Sequence, residues 1–471
     1  MKKKELTIVI VLVALLLVGT VVILFATGKV GVTKNSDTFA SQTDIELFQN
    51  VPIVKGEKVS FTEAIDVGDD NYMIYAEQTT LKEYEAYLKT LEQAGFEKYV
   101  DNGKEGNSGD VFAAYYFKDN LLVHVCHMVN VNQTMINVCE DPKISDHLFY
   151  NDSYVANNIE GAKTQLYISE LYSIGNDYVF QLKNGHYIIN DGGPRSELPY
   201  LLDYLEANAP EGEKPIIEAW FVSHSHLDHM GVLDALSQSP LDCERIIVEN
   251  VYYSAPSKEA EALPMGIYDN SKNDNLTVKA VGVYLKNSKG ESTPLYRSRM
   301  GDRYYFNDFT IDVIWSQELL DCKEWKTWNT SCTVLMYELE GQKVLFTGDA
   351  EWICQKMYTE YFDSTYFDLD IYQAPHHDIY VYKEFVRACS RISTVIHANH
   401  ESVDVRPESS NLGRVVDNIY LENYAEESLS YYDGAKILTF PYKVGTAQTL
   451  PHREWIHSND IPKWRQPAET K

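Results

Sequence analysis

Residues 221–231, Phe-Val-Ser-His-Ser-His-Leu-Asp-His-Met-Gly, decide how this chain folds and what chemistry it can support. They place three histidines and one aspartate between His224 and His229, after an apolar run that predicts a buried strand and before a segment with helical spacing from Met230 to Leu236. Imidazole nitrogens and carboxylate oxygens are ligands for zinc, manganese or iron. The His-x-His alternation points His224 and His226 the same way, while Asp228 and His229 can turn toward a second ion. An ordinary polar loop is the alternative, but four ligand-type residues rarely meet at this spacing by composition.

The composition is that of a globular protein, with 471 residues, 44% hydrophobic side chains and 12% aromatic ones. This length predicts two to four domains at about 100–200 residues each. The chain carries 69 acidic against 41 basic side chains, a net charge of −28. This balance argues against binding nucleic acid over a broad basic face, and a local basic groove stays open as an alternative.

The amino terminus has the pattern of a membrane anchor. Residues 7–27 contain no charged side chain, and a helix of that length can cross a hydrocarbon core of about 30 Å. Lys2, Lys3 and Lys4 precede the run, which places the amino terminus in the cytoplasm and the chain after Gly28 outside the cell. A cleaved signal peptide is the alternative, but its apolar region usually spans about 7 to 15 residues. We therefore expect an uncleaved, single-pass anchor in the cell membrane.

A small α+β module is predicted to follow the anchor. Thr80 and Glu83 have the spacing of a capping box, and Gly95 follows the last helical position. Several strand-like runs come next, and His124 and His127 lie three apart on one of them, so they face opposite sides and act as ordinary sheet histidines. The boundaries we predict are 1–28 for the cytoplasmic tip and anchor, 29–56 for a linker, 57–142 for the module, 143–163 for a second linker, 164–445 for the large α/β domain and 446–471 for a polar tail.

Seven cysteines are spread along the chain without a C-x-x-C pair. Buried free thiols are the default expectation for such cysteines. Because export permits disulfides, Cys126 with Cys139 and Cys322 with Cys332 are alternative pairings. The long polar insertion at residues 254–299 has the length of a lid or binding loop.

Predicted strand ends deliver further ligand-type residues in the large domain. One strand ends at Asp191-Gly192-Gly193, where glycines allow the backbone to approach a neighbour closely. Another ends at Asp349, and a third is followed by His376 and His377. Metal sites are commonly built from several strand ends, because the sheet fixes the direction of each ligand.

Residues 164–445 resemble the metallo-beta-lactamase-fold hydrolases. The matching segments are Asp191-Gly192-Gly193, His224-Ser225-His226-Leu227-Asp228-His229, Thr347-Gly348-Asp349-Ala350 and Pro375-His376-His377. The resemblance implies an αββα sandwich with one or two metal ions, usually zinc, at its edge. Within the family, residues 329–335 and the paired histidines resemble the exported metallo-hydrolase domain of bacterial competence (DNA-uptake) channel proteins. That branch continues with Gly-Ser where this chain has Asp378 and Ile379.

The resemblance also implies a ligand set, with one departure. Several branches use a further histidine between the first cluster and the bridging aspartate, but this sequence has none from Met230 to Pro375. The first metal position is therefore one ligand short, and we expect the second to bind more tightly. The predicted metal ligands are His224, His226, Asp228, His229, Asp349 and one of the paired histidines, taken as His376, with zinc as the metal and manganese as the alternative. Asp228 and His377 are predicted to be catalytic, and Asp191, Asn329 and Ser331 to support the site or orient substrate.

These inferences predict a membrane-anchored, extracellular metal-dependent hydrolase. A metal-activated water would attack a phosphodiester or related ester, such as a small molecule or a wall polymer, rather than a beta-lactam. An extracellular nuclease ranks second because of the charge of −28. A catalytically degenerate binding or interaction protein on the same fold is the alternative from another functional class.

Overall fold

The computed structural model describes residues 37–68, 70–102, 109–140, 143–148, 157–171, 174–254, 281, 283–306, 309–316, 328–398, 420–431 and 434–453. The chain divides into two units, Met1–Ile53 and Val54–Lys471. None of the helices in the described ranges is both long and apolar enough to span a membrane. The predicted anchor at residues 7–27 lies outside the described residues.

The described part of the first unit is a short closed loop within the predicted linker. It contains two single-turn 3-10 helices, Phe39–Ser41 and Glu46–Phe48. The rings of Phe39 and Phe48 lie 5.3 Å apart, and Thr38 forms an isolated bridge with Pro52.

The second unit contains all the regular elements used below. Its described α-helices are α1 (Leu81–Gln93), α2 (Leu198–Asn208), α3 (Leu227–Gln238), α4 (Pro240–Cys243), α5 (Trp352–Tyr361) and α6 (Lys383–Ala388). Its described strands are β1 (Ser60–Phe61), β2 (Ile65–Asp66), β3 (Asn71–Glu77), β4 (Glu97–Asp101), β5 (Val111–Lys118), β6 (Leu121–Met128), β7 (Gln133–Glu140), β8 (Gln165–Ile168), β9 (Asp177–Gln181), β10 (Tyr187–Asp191), β11 (Ile216–Val222), β12 (Ile247–Val248), β13 (Val251–Tyr253), β14 (Leu295–Arg297), β15 (Arg303–Phe306), β16 (Phe309–Trp315), β17 (Val334–Leu339), β18 (Gln342–Phe346), β19 (Asp368–Gln373), β20 (Arg391–His397), β21 (Glu427–Ser430), β22 (Lys436–Thr439) and β23 (Gln448–Thr449).

The module is an antiparallel sheet with one helix on its face. Its strand order is β1-β3-β7-β6-β5-β4, with β2 paired to β3. The expected capping box starts α1, because the Thr80 backbone N–H donates to Glu83 and the Glu83 N–H donates to Thr80 Oγ1. His127 stacks on Tyr84 of that helix at 5.1 Å, while His124 packs against Tyr115 on the opposite face of the sheet.

Two further sheets pack face to face as the predicted sandwich. One has the strand order β14-β13-β11-β10-β9-β8-β22-β23, with β12 paired to β11, and the other has β15-β16-β17-β18-β19-β20-β21. Their facing side chains form one buried cluster, to which Phe180, Phe221 and Tyr337 contribute. Each such large side chain contributes about 1.5–3 kcal/mol when it is fully buried.

Helices cover both outer faces of the sandwich. Alternation along β17 shows the layering, because Leu335 and Tyr337 enter the cluster between the sheets while Met336 faces outward. Helices α2 and α3 pack on the outer face of the first sheet. Helices α5 and α6 pack on the outer face of the second sheet, where they share a cluster with side chains of the module. The αββα layering expected from the resemblance is confirmed.

The topology brings five strand ends to one edge of the sandwich. Strands β10 and β11 are parallel, and so are β18, β19 and β20. Parallel strands end at the same edge, so the residues after each of these strands lie near one another. This edge carries the site.

Local boundaries differ from the prediction in a few places. The sequence of residues 245–253 predicts a single strand, but the segment forms two short strands, β12 and β13. In the insertion at 254–299, β14 extends the sheet by pairing parallel to β13, and residues 255–280 lie outside the described residues. The described cysteines, which do not include Cys322, are buried and free, so the alternative Cys126–Cys139 disulfide does not form.

Candidate metal centre

The histidine-rich stretch changes from strand to helix earlier than its apolar pattern predicts. Strand β11 ends at Val222, and α3 begins at Leu227 rather than at the predicted Met230, with His226 as its N-cap residue. Asp228 and His229 therefore lie in the first turn of α3. A carboxylate in this turn is favoured by the positive end of the helix dipole.

A four-residue cluster forms around Asp349, which follows β18. The ligand atoms of Asp228, His229, Asp349 and His377 all lie within 4.8 Å of one another. His377 Nε2 is 3.0 Å from Asp228 Oδ2 and 3.3 Å from Asp349 Oδ2. His229 Nε2 is 3.1 Å from Asp349 Oδ1 and 3.4 Å from His377 Nε2. We call this group the second cluster, because it contains the residues expected at the second metal position.

A three-residue cluster shares the same carboxylate. The ligand atoms of His224, His226 and Asp349 also lie within 4.8 Å of one another. His224 Nε2 is 2.9 Å from His226 Nδ1 and 3.8 Å from Asp349 Oδ2. We call this group the first cluster. It has one protein ligand fewer than the second cluster, and the two share Asp349.

Asp191, at the end of β10, orients His229 from behind. Its Oδ2 lies 2.9 Å from His229 Nδ1, so the other ring nitrogen, Nε2, faces Asp349. The same carboxylate accepts hydrogen bonds from the backbone N–H of Ser223 at 2.7 Å and from its hydroxyl at 2.9 Å. A carboxylate behind a histidine ligand fixes its tautomer and ring orientation.

Cys332 is a site residue that the sequence reasoning missed. Its buried sulfur lies 3.8 Å from His224 Nδ1 and accepts a hydrogen bond from the Asp349 backbone N–H at 3.3 Å. Gly348 has φ of +51°, and a Cβ at this position would lie 2.4 Å from the Cys332 sulfur and 2.8 Å from Ser223 Cβ. The glycine before Asp349 is therefore required by this close packing. The only signal in the sequence was the position of the cysteine two residues before β17.

The two adjacent histidines after β19 have different places in the site. His377 is buried within the second cluster, whereas His376 is 20% exposed and lies outside both clusters. His376 Nε2 is 3.8 Å from Asp349 Oδ2 and 3.4 Å from the amide nitrogen of Asn329. The sequence assigned ligation to His376 and catalysis to His377, and this geometry favours the reverse. Ser331 is buried in the same 3-10 turn as Asn329.

The electrostatics of the second cluster favour a cation. Burial lowers the pKa of His377, but the carboxylates of Asp349 and Asp228 raise it to about 9. Burial also lowers the pKa of His229, and the charges of Asp349 and Asp191 outweigh this and raise it well above the ordinary value. Burial raises the pKa of Asp349, yet the charges of His229, His377 and His376 hold it well below its usual range. Without a metal ion, protons on two imidazoles balance the carboxylates.

The first cluster has the opposite character. Burial, followed by the positive charges of His229 and His226, holds the pKa of His224 well below the ordinary histidine value. Burial likewise lowers the pKa of His226. Both rings are therefore neutral near pH 7, which is the form that binds a metal.

These residues fit a divalent cation. The nitrogens of His224 and His226 approach to 2.9 Å, and those of His229 and His377 to 3.4 Å. Asp349 Oδ1 is buried and makes no hydrogen bond, although it lies 3.1 Å from His229 Nε2. Nitrogen and carboxylate donors converging in this way are suited to zinc or a similar metal.

Comparison with known proteins gives only distant likenesses. No protein-family model and no curated protein sequence matches this chain. The solved structure of unliganded yeast PDE1 is 11% identical over 59% of this chain and 100% of its own, with a TM-score of 0.36. A Cronobacter sakazakii metallo-beta-lactamase with a HARLDQ motif is 16% identical, with a TM-score of 0.23, over 37% of this chain and only 58% of the Cronobacter chain. A mutant of that motif is 14% identical over 55% of this chain and 92% of its own, with a TM-score of 0.28. At these identities and TM-scores, the similarity indicates nothing about function. Function is therefore inferred from the geometry of the site.

Proposed function

We propose that this chain is a metal-dependent hydrolase that cleaves phosphodiesters or related esters. One observation carries the proposal: Asp349 belongs to both the three-residue and the four-residue ligand cluster. A carboxylate between two cations about 3.5–4 Å apart is suited to hydrolysis of phosphate esters, because one cation faces the attacking oxygen and the other the leaving oxygen. Zinc is the proposed metal, with manganese as the alternative.

The residues around the clusters supply the remaining parts of such a reaction. A bound divalent cation would lower the pKa of a coordinated water to about 7 and so supply hydroxide near neutral pH. Asp228 is 37% exposed, whereas Asp349 is 2% exposed, so Asp228 is the cluster carboxylate that can hold and orient a water from the solvent side. Its hydrogen-bond partner His377 keeps that carboxylate in place.

We assign proton donation to the leaving oxygen to His376. It is the partly exposed member of the histidine pair, and its Nε2 lies beside Asp349 without entering either cluster. General acid catalysis of this kind requires a titratable group within reach of the substrate. Asn329 contacts His376 and has a buried amide oxygen without a hydrogen-bond partner, which suits it to orient the ring or a substrate N–H or O–H group.

The location of the enzyme is proposed from the sequence. The uncharged run at residues 7–27 after three lysines supports a single-pass anchor with the catalytic domain outside the cell. The resemblance to the exported hydrolase domain of competence channel proteins supports a phosphodiester substrate. The net charge of −28 favours a small molecule or wall polymer over nucleic acid.

A substrate comparison tests the proposal. Protein freed of metal is supplied with zinc or manganese and offered bis(p-nitrophenyl) phosphate, p-nitrophenyl phosphate and a chromogenic beta-lactam. We expect metal-dependent hydrolysis of the diester at a higher kcat/KM than of the other two. His226→Ala, which removes a ligand of the first cluster, should reduce diester hydrolysis, whereas His147→Ala, a histidine bound to the Tyr305 carbonyl, should not.

Two results would overturn this assignment. Hydrolysis of the lactam in preference to both phosphate esters would contradict the substrate class. Failure of all three substrates with both metals would instead support a binding or interaction protein on the same scaffold.

A further inference from the structure

We propose that the buried pair Asp378–His397 positions His377 by holding a left-handed turn in the arrangement that aims its ring into the second cluster. Asp378 and His397 belong to neither cluster, so this is a positioning role. The inference rests on the proposed metal-dependent function, and it extends that function to a pair of residues on two different strand ends.

The turn after β19 has an unusual backbone. Three consecutive non-glycine residues, His376, His377 and Asp378, have φ angles of 48°, 52° and 65°. The left-handed region brings Cβ close to the carbonyl oxygen in L-residues, so glycine is the residue that normally occupies it. A run of three therefore persists only when its surroundings hold it in place, as is common at functional sites.

Strand β20 provides that support at two adjacent residues. Asp378 Oδ1 lies 2.7 Å from His397 Nδ1, and their side chains are 0% and 5% exposed. The next residue, Ala398, accepts a hydrogen bond from His377 Nδ1 at 3.0 Å. Because Nδ1 of His377 is engaged from behind, its Nε2 is the nitrogen that faces Asp228 and Asp349.

The support is rigid because His397 is part of a strand in the interior of the sheet. Strand β20 is hydrogen-bonded in parallel to β19 on one side and β21 on the other. His397 Nε2 lies 3.4 Å from the hydroxyl of Ser428 on β21, so both ring nitrogens are held. The turn is also tied to the loop of the shared carboxylate, since the His376 backbone N–H donates to the Gly348 carbonyl at 3.1 Å. His377 and Asp349 are therefore placed relative to each other through backbone and sheet.

The pair explains why a residue other than glycine suits the third position of the turn. Aspartate tolerates the left-handed region better than most residues, but glycine would occupy it without strain. The contact between the Asp378 carboxylate and His397 offsets the strain that glycine would avoid. Loss of either member should let the turn relax and let the His377 ring leave its place, while the ligands on α3 and β18 stay where they are.

Cobalt binding to the metal-free protein tests the proposal directly, with Co²⁺ alone as the probe and its visible absorption as the readout. We expect Asp378→Asn and His397→Gln each to weaken binding of the tighter equivalent by about 10- to 100-fold, the range seen when support behind a metal ligand is lost. The weaker equivalent, assigned to His224 and His226, should change little. The double variant should be no worse than the worse single variant, because the two residues act as one unit.

A matched control separates positioning from general packing. His186 and Glu218 form another histidine–carboxylate pair, at 2.9 Å, away from both clusters. His186→Gln should leave both cobalt equivalents unchanged. Asp378→Gly, which relieves the left-handed strain but removes the carboxylate, should keep the thermal stability of the metal-free protein and still lose cobalt affinity.

Several outcomes would overturn the proposal. Unchanged cobalt affinity in Asp378→Asn and His397→Gln would show that His377 is held without the pair. Equal losses at both equivalents, or unfolding of all three variants in the metal-free state, would assign the pair to overall folding. A wild-type protein that binds no cobalt would instead contradict the proposed function itself, so the two failures are distinguishable.

Discussion

Hydrogen-bond partners of the Nδ1 atoms determine how the histidine ligands are oriented in this site. Asp191 engages His229 Nδ1, and the Ala398 carbonyl engages His377 Nδ1, so the Nε2 atoms of both histidines face the shared Asp349. Neighbours of this kind raise the basicity of a ligand and fix its direction. The site therefore depends on residues that would never contact a metal.

Replacement of Asp191 should show whether its contact with His229 supports metal binding rather than folding. Asp191→Asn keeps an oxygen for the Ser223 backbone N–H but loses the negative charge behind His229. We expect zinc affinity of the second cluster to fall by about 10- to 100-fold, measured by competition with a chelator. Asp370→Asn, a carboxylate paired with Arg391 away from the site, is the control. Equal affinity in Asp191→Asn and wild type would contradict the role of Asp191.

Metal affinity should rise with pH below about pH 9. Asp349 and Asp228 raise the pKa of His377 to about 9, so in the metal-free protein this ring carries a proton at neutral pH. The pKa of His229 is also raised well above the ordinary value, so a cation must displace a proton from each ring, which costs up to about a hundredfold in apparent affinity for each pH unit below both pKa values. Chelator competition between pH 6 and pH 9 should give this slope, and His376→Gln should retain it. A flat profile would show that binding displaces no proton.

The sequence predicted which residue types form the clusters. It did not predict that His377, rather than His376, is the one that lies in a cluster. The motifs around His224, Asp349 and the histidine pair were visible because ligand-type residues follow apolar runs. Which of two adjacent rings enters the cluster depends on φ angles of 48° and 52°, which the residue types do not encode. Cys332 escaped notice because a lone cysteine is most often ordinary core.

At the scale of elements, the start of α3 is fixed by the glycines that end β10. The Gly193 N–H donates to the His229 carbonyl at 3.1 Å, and the Gly193 carbonyl accepts from Val232 N–H at 3.2 Å. A Cβ on Gly231 would lie 2.5 Å from the Arg195 nitrogen and 2.9 Å from the Gly193 oxygen. The close approach expected at Asp191-Gly192-Gly193 is confirmed, and the element approached is the ligand-bearing helix.

Gly231→Ala should therefore move α3 despite improving its helix propensity. Alanine favours a helix over glycine by about 1 kcal/mol, but overpacking against backbone costs typically about 1–3 kcal/mol. We expect a lower urea midpoint together with weaker metal binding, because Asp228 and His229 move with the helix. Gly212→Ala, where a Cβ meets nothing within 4 Å, is the control for binding. Unchanged metal affinity in Gly231→Ala would show that the positions of Asp228 and His229 do not depend on this contact.

Element boundaries were less predictable than element types. The apolar pattern started α3 at Met230, whereas the helix begins at Leu227, where the His226 carbonyl accepts from the Met230 N–H and the His229 carbonyl accepts from the Gly193 N–H. Six short strands at sheet edges were not predicted, since they carry little periodic signal: β1, β2, β4, β14, β21 and β23. The long core strands were recognised because they alternate or are wholly apolar.

For the whole molecule, the module is built into the sandwich domain rather than attached loosely to it. Arg299, 4% exposed, donates to Asn71 Oδ1 of the module at 3.0 Å. Asp302 accepts hydrogen bonds from Tyr115 of the module and from Tyr304. Buried side chains of the module and of the second sandwich sheet also share one hydrophobic cluster. Such a contact predicts that both parts unfold together.

Arg299→Ala should test this cooperativity. Removing the buried guanidinium breaks its hydrogen bond to Asn71, and losing a buried hydrogen bond to a charged group costs about 1.5–3 kcal/mol. We expect one calorimetric transition in the wild type and a markedly lower transition temperature in the variant. Arg391→Ala, which breaks a surface pair with Asp368, should cost less than about 1 kcal/mol. Two separate transitions in the wild type would contradict a single cooperative unit.

The proposed function requires that Asp349 serve two cations in one hydrolytic site. The most direct measurement is the rate of bis(p-nitrophenyl) phosphate hydrolysis as zinc or manganese is titrated into metal-free wild type and Asp349→Asn. We expect a rate that rises with metal and saturates near two equivalents in the wild type, and a loss of at least about 100-fold in Asp349→Asn, equivalent to about 2.7 kcal/mol. A wild-type rate that is independent of metal, or an Asp349→Asn rate equal to the wild-type rate, would contradict it.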